Sequence, residues 1–516
     1  MRLSDVLRFN LALRADEPAF RVAGSVLTHR EVDLRTGRLA AFLSAAAPRG
    51  SRVCVLLSNC LIYPEIYFAC ARAGMIIVPM GPQLTEADLV RVFGECGPAL
   101  LITHPYQADK ARNAVERHGS GLAVLCHRDD PAGARPLPDG WRDYEDAIAA
   151  ADGAPGEDVS GPEDAAVILF TSGTTGRPKG VIHSQANFVR GAVTMVSSLG
   201  LAAPGRALQV LPIAGINFVW VLSFYIAGLE VELLQKFDAQ KLPRHLSDNR
   251  ISHVVLAPIM LDLISRDPAA ARDCDFSHLR MLGYGGSRTP REVGMRAVEI
   301  YGPVLRQMYG QTEASGLLTS KPAALHADDF ESAGPPLLGV DLRIVDPGGG
   351  DITTSGQTGE ILARTDYALL GYWGRTDIGT PAEGWLRTGD TGRITPAGRL
   401  VVMGRVDDMI VTGGNNVYPR EIEDVLAGHP DVREIAVVGV PDATWGERVT
   451  AFVVASGRRP VRETEADLKR LAEVELASPK RPRAWQFVEA LPRNPTGKVL
   501  KAALVSMADR ESARVA

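Results

Sequence analysis

At 516 residues the chain has room for roughly three packed units of ~150 residues each, some of them fused into one lobe. It is 46% hydrophobic and 6% aromatic with a net charge of −5, a balance that selects neither nucleic acid nor an anionic membrane as a partner. Charges at Arg2, Asp5, Arg8, Arg14 and Asp16 interrupt any signal-peptide core, and no apolar run is long enough to cross a bilayer, so a cytoplasmic location without membrane insertion is expected.

In chain order, short apolar runs at 53–57, 75–79 and 99–103 alternate with helical patterns at 61–73 and from 85 onward, which reads as βαβ units. The runs are nearly continuous, as in strands covered by helices on both faces. Thr85 with Asp88 makes a capping box, and Gly97-Pro98 separates that helix from the next strand. Residues 128–163 are crowded with Asp, Pro, Gly and Ala and read as surface loop around a short helix. From about 339 to 404 the pattern turns strand-like and turn-rich, a smaller β-rich subdomain. A compact αβ segment follows, with helices at 419–427 and 463–471 and strands near 435–440, 449–454 and 485–487. The fold class is therefore α/β: a large N-terminal domain, 1–406, of βαβ-derived sheets plus the β-rich subdomain, then a small mobile C-terminal αβ domain, 407–516. Six scattered cysteines show neither zinc nor disulfide spacing and read as buried free thiols.

The strongest local signal is the apolar run 167–170 leading into Thr171-Ser-Gly-Thr-Thr-Gly-Arg-Pro-Lys-Gly180. Glycines let backbone N–H groups turn toward anionic oxygens, hydroxyls donate further hydrogen bonds, and Lys179 supplies a point charge, a composition suited to polyphosphate. The spacing of Gly173, Gly176 and Lys179 does not match a Walker A loop.

This loop resembles the phosphate loop of the adenylate-forming superfamily: acyl-CoA synthetases, peptide-synthetase adenylation domains and luciferases. The superfamily's other motifs follow in order, at Tyr309-Gly-Gln-Thr-Glu313, Gly384-Trp-Leu-Arg-Thr-Gly-Asp390, Gly404-Arg-Val-Asp-Asp408 and Asn494-Pro-Thr-Gly-Lys498. The resemblance covers essentially the whole chain and implies ATP as co-substrate. It assigns ATP binding to Thr171, Ser172, Gly173, Thr174, Thr175, Lys179, Gly285, Gly286, Gln307, Tyr309, Gly310, Thr312, Asp390, Arg405 and Lys498. Tyr309 offers a flat face to adenine, Gln307 an amide to the base edge, and Asp390 an acceptor for the ribose hydroxyls. Glu313 is a hard oxygen ligand suited to Mg²⁺. Lys498, with Thr312 and Glu313, is assigned to catalysis, its cation stabilising the charge that builds as a carboxylate attacks the α-phosphorus. Asp407 matches the hinge about which the C-terminal domain turns, and Gly413, Gly414 and Asn415 would then approach the acceptor's thiol arm.

Two departures from the superfamily pattern bear on the acid and the acceptor. Leu211-Pro-Ile-Ala-Gly215 lacks the aromatic and histidine that follow the proline in many coenzyme A-dependent members, and Met308 stands where relatives often carry glycine. Gly215, Asn217, Trp220 and Met308 are candidate walls of the acyl pocket, although a buried core helix explains 216–224 about equally well. The expected function is an ATP-dependent carboxylic acid ligase that adenylates a small-molecule carboxylic acid and transfers the acyl group, with coenzyme A as first-choice acceptor. An amine or a carrier-protein thiol is the alternative. A non-catalytic nucleotide-binding protein is disfavoured, because Lys179, Glu313, Asp390 and Lys498 are all present.

Overall fold

The computed structural model describes residues 1–119, 122–128, 136–151, 158–171, 179–287, 289–326, 329–375, 382–493 and 499–515, with side chains through Ala508. Two compact units emerge, Met1–Asp341 with Ala363–Leu386, and Leu342–Leu362 with Arg387–Ala516. The boundary expected at Asp407 falls inside the second unit, which also takes in most of the β-rich segment.

Among the described residues the first unit contains two eight-stranded sheets. One runs in the order Gly316–Lys321, Leu305–Gln311, Met281–Gly285, His253–Leu256, Arg206–Gln209, Glu230–Leu233, Pro18–Val22 and Ser25–Thr28. Its interior is parallel and both edge strands are antiparallel. The other runs from Gly371–Tyr372 through Lys179–Ser184, Ala165–Thr171, Ile76–Met80, Arg52–Leu56, Leu100–Thr103 and Ala123–Cys126 to Arg142–Asp143. Every residue of Ile76–Met80 and Leu100–Thr103 is buried, which is why these strands read as unbroken apolar runs. The Thr85 capping box closes as expected, with the Thr85 hydroxyl accepting from the Asp88 N–H at 3.2 Å, and Gly97 caps that helix in the left-handed conformation at φ 54°. All six cysteines are free thiols, five of them buried and Cys274 partly exposed. No helix among the described residues is long and apolar enough to cross a membrane.

Among the described residues the second unit holds most of a four-stranded sheet, Asp341–Val345, Gly359–Arg364, Leu386–Ile394 and Leu400–Arg405, followed by a five-stranded one. In the latter, Val432–Asp442 pairs antiparallel with Gly446–Ala455, and Ala484–Phe487 adds in parallel. Alternation sorts its side chains. Val437, Val449, Ala451 and Val453 pack with Ile422, Leu426, Leu468 and Ala472 of the helices Pro419–Ala427 and Val461–Glu475. Ala436, Val438, Val440, Phe452 and Val454 pack on the other face with Leu504 and Ala508 of Lys501–Val515.

Candidate active site

In the first unit the expected residues gather at the carboxyl ends of parallel strands, where open α/β sheets receive their ligands. Thr171 closes the strand Ala165–Thr171 and Lys179 opens its antiparallel return, and the two are register partners. The two described ends of the phosphate loop, Thr171 and Lys179, are therefore side by side at the end of the sheet ladder. Ser172, Gly173, Thr174 and Thr175 lie outside the described residues, as does Lys498.

Lys179 Nζ stands 5.8 Å from the centroid of the Tyr372 ring, and Tyr372 Oη donates to Glu313 Oε1 at 3.2 Å. One tyrosine thus touches both the cation of the phosphate loop and the carboxylate expected to hold metal. Tyr372 arrives there because Gly371–Tyr372 pairs with the strand Lys179–Ser184, with Tyr372 opposite Val181. Glu313 belongs to the short 3-10 turn Thr312–Ala314, which ends on Ser315 at φ +47°, a left-handed conformation costly for a serine. His183 holds that turn from behind. Its Nε2 lies 2.7 Å from the Thr312 carbonyl oxygen and its Nδ1 2.9 Å from Ser315 Oγ. A carbonyl only accepts, so Nε2–H donates and Nδ1 accepts from the serine hydroxyl. Burial pushes this histidine down to about 4, which keeps it neutral as that pattern requires.

Gly285, Gly286, Gln307, Met308, Tyr309 and Gly310 come together through two neighbouring parallel strands, Met281–Gly285 and Leu305–Gln311. Tyr284 stands opposite Gln307 and Gly285 opposite Met308. Gly286 adopts φ +90°, so the chain turns away from the sheet where a side chain would be strained. At Gly310 the ladder to Gly316–Lys321 bulges, and a Cβ there would overlap the Gly316 carbonyl oxygen. Met308 is 4% exposed and its side chain lies over Gly283 within the sheet packing. Gly215 and Asn217 form a 3-10 turn, with Asn217 Nδ2 donating to the Pro212 carbonyl at 2.8 Å. Trp220 sits in the helix Phe218–Ile226, whose residues from Phe218 to Tyr225 are all buried, as a core helix requires. A cavity of about 500 Å³ bordered by Arg206, Glu230, Ser252 and Arg280 lies at the opposite, amino ends of the same strands.

In the second unit, Asp390 and Arg405 face each other across antiparallel strands, and Arg405 Nη1 donates to Asp390 Oδ1 at 3.0 Å. Asp407 lies in the turn Val406–Asp408 that leads from Leu400–Arg405 to Ile410–Thr412. Gly413 and Gly414, at φ 55° and 77°, form the two-residue bend of the hairpin to Asn415–Val417, the conformation that such tight hairpins require. Asn415 Nδ2 donates to the Gly413 carbonyl at 3.1 Å.

His183, Tyr284, Ser315, His326 and Tyr372 were not singled out from the sequence. The available signal was slight. A histidine within the buried strand Lys179–Ser184 departs from its apolar surroundings, but a lone buried histidine is usually a satisfied core residue.

The chain matches the AMP-binding enzyme family over residues 7–373 and the AMP-binding enzyme C-terminal domain over 421–498. It is 32% identical over 513 residues to a fatty acid–[acyl-carrier-protein] ligase of Streptomyces coeruleorubidus, covering 96% of this chain and 94% of that protein. It is 33% identical over 489 residues to a feruloyl-CoA synthase of an Amycolatopsis species, covering 94% of each. Among solved structures, the amide bond synthetase McbA of Marinactinospora thermotolerans superposes with a TM-score of 0.87 at 31% identity, over 98% of this chain and 99% of that one. Likeness of this extent in both sequence and fold places the chain in the AMP-binding enzyme family of the adenylate-forming superfamily, as an AMP-forming carboxylate ligase that uses ATP to adenylate an organic acid.

Proposed function

We propose that this ligase forms acyl-AMP from a small-molecule carboxylic acid and passes the acyl group to coenzyme A. The observation that carries the first step is the cluster of Lys179, Tyr372 and Glu313, a cation and a carboxylate held together beside the phosphate-loop strands. Phosphate oxygens suit Lys179 and the residues 171–175, adenine suits Gly285, Gly286, Gln307 and Tyr309, and the ribose suits Asp390 and Arg405. Among the described residues no group of three or more His, Cys, Asp or Glu side chains could hold a metal. A single carboxylate with the neighbouring Thr312 hydroxyl nevertheless fits Mg²⁺, which takes one or two carboxylates and completes its shell with phosphate and water oxygens. When bound there, the ion would neutralise charge on the triphosphate.

In the first step an oxygen of the acid's carboxylate bonds to the α-phosphorus while the bond to the β-phosphate oxygen breaks and pyrophosphate leaves. Lys498 supplies the cation for the charge that develops, Glu313 and Thr312 keep the phosphates in place, and Asp407 is the proposed pivot for the second step. There the acceptor attacks the acyl carbon and AMP departs, with Gly413, Gly414 and Asn415 beside the incoming thiol. Gly215, Asn217, Trp220 and Met308 are the proposed border of the acyl group. The feruloyl-CoA synthase relative favours coenzyme A. A second reading, transfer to an amine, is favoured by the absence of aromatic and histidine side chains after Pro212 and by the likeness to an amide bond synthetase.

Pyrophosphate release is the test, measured with ATP and Mg²⁺ over a panel of aryl, alicyclic and fatty acids, with coenzyme A, with amines, or with neither. Acid-dependent release is expected, falling on the order of 100-fold in Lys498→Ala, and coenzyme A should yield thioester. Amide product without thioester would replace coenzyme A by an amine, and release indifferent to every acid would overturn the substrate reading.

A further inference from the structure

Behind Gln307 stands a short buried chain of hydrogen-bonding groups to which the function above assigns no task. His326, 2% exposed, follows the 3-10 turn Ala323–Leu325, and its Nδ1 lies 3.2 Å from the Pro322 carbonyl oxygen. Its Nε2 lies 3.0 Å from Tyr284 Oη, and Tyr284 is fully buried. Tyr284 Oη in turn lies 3.5 Å from Oε1 of Gln307, which is half-buried.

Proton accounting along this chain has one consistent solution. The Pro322 carbonyl can only accept, so the proton of a neutral His326 sits on Nδ1 and its Nε2 carries a lone pair. Burial, with Lys321 nearby, pushes His326 down to about 4, so a second proton is absent at neutral pH. The Tyr284 hydroxyl must therefore donate to His326, which leaves the phenol oxygen able only to accept from its other neighbour. An amide oxygen facing that phenol would set lone pair against lone pair, in keeping with this being the longest link of the chain. A half-turn of the amide places its NH₂ on the phenol instead, since the two ends of a glutamine amide are nearly identical in shape. Gln307 then presents its carbonyl oxygen, and not its NH₂, to whatever lies on its other side.

We propose that His326 and Tyr284 are positioning residues that lock the Gln307 amide with its carbonyl outward, so that the site accepts a purine with an amino group at position 6 and rejects a purine with an oxygen there. This rests on the proposed contact between Gln307 and the base, and it adds the cause of base selectivity. A 6-amino group donates to the outward carbonyl, whereas a 6-oxo group meets it acceptor to acceptor, leaving a desolvated polar pair unmatched. Without the two buried partners, a glutamine could serve either base by turning over.

Equilibrium binding of ATP and of inosine triphosphate to the full chain, without acid, tests this directly, because the two nucleotides differ in base structure only at position 6 and its linked ring proton. The unaltered protein should prefer ATP by about 10-fold or more. Tyr284→Phe deletes one oxygen and frees the amide to turn, so the preference should fall toward parity. His326→Phe removes the hydroxyl's acceptor and leaves Gln307 Oε1 as its remaining neighbour, which turns the NH₂ outward and should lower the ratio further. A merely structural role would weaken both nucleotides alike and leave the ratio unchanged in both variants, and that result would overturn the proposal. Equal affinity of the unaltered protein for the two nucleotides would also overturn it. Failure to bind ATP at all would instead remove the nucleotide reading of Gln307 and this inference with it.

Discussion

The two units hold their motif residues by different means. In the first, Glu313 is fixed by Tyr372, 59 positions later in the chain, and Thr312 by His183, 129 positions earlier. In the second, Asp390 is paired with Arg405 on the adjacent strand, 15 positions away, and Gly413 and Gly414 are explained by the hairpin they bend. Remote support holds the groups proposed to face phosphate against two buried sheets, so their geometry is set by packing. Local support keeps each element intact whatever the rest of the molecule does, which suits a unit whose proposed task includes turning.

Acidification should expose this contrast most strongly. His29, His253 and His326, all in the first unit, are each pushed down to about 4, first by burial and then by Arg14, Arg280 and Lys321. An unfolded histidine titrates near 6.5. Between these values the unfolded chain binds protons that the folded unit does not, so the stabilisation is complete above about 6.5 and is lost as pH falls toward 4. A tenfold change in proton affinity corresponds to about 1.4 kcal/mol, so the three histidines together contribute several kcal/mol. The second unit holds a single histidine, His429. Hydrogen exchange followed from pH 7 to 4.5 should show the first unit losing protection before the second, and simultaneous loss would erase the contrast.

Glu313→Gln comes next. It retains the shape that Tyr372 contacts but removes the charge proposed for Mg²⁺, so pyrophosphate release should drop about 100-fold with little change in melting temperature. A comparable loss of thermal stability would mean that the carboxylate serves packing more than metal. The smallest effect is expected in the second unit. Gly414→Ala introduces a side chain at φ +77° with no heavy atom within 4 Å of its Cβ, so only backbone strain of about 1–2 kcal/mol should appear. A larger shift on thermal unfolding would show that this hairpin carries more than its own turn.

Much of the molecule was legible from local pattern. The all-buried strands announced themselves as unbroken apolar runs, and the Thr85 box and Gly97 cap did so by residue type, because strand burial and helix ends leave their mark within a few positions. The ordered motifs identified an adenylating enzyme for the same reason: each loop needs its glycines, hydroxyls and charges close together in sequence. The β-rich segment was recognised as strands, but its grouping with the C-terminal residues was not, since compactness depends on which surfaces pack.

Sequence by itself thus determined many of the elements and the family, and it nominated the residues proposed for ATP, because these are encoded in spacing and composition. Tertiary structure alone decided which groups stand behind them. His183, Tyr284, His326 and Tyr372 carry no periodic or motif signal: His183, Tyr284 and Tyr372 come within hydrogen-bond reach of Thr312, Gln307 and Glu313 only through the folding of distant segments, and His326 stands one step further back, on Tyr284.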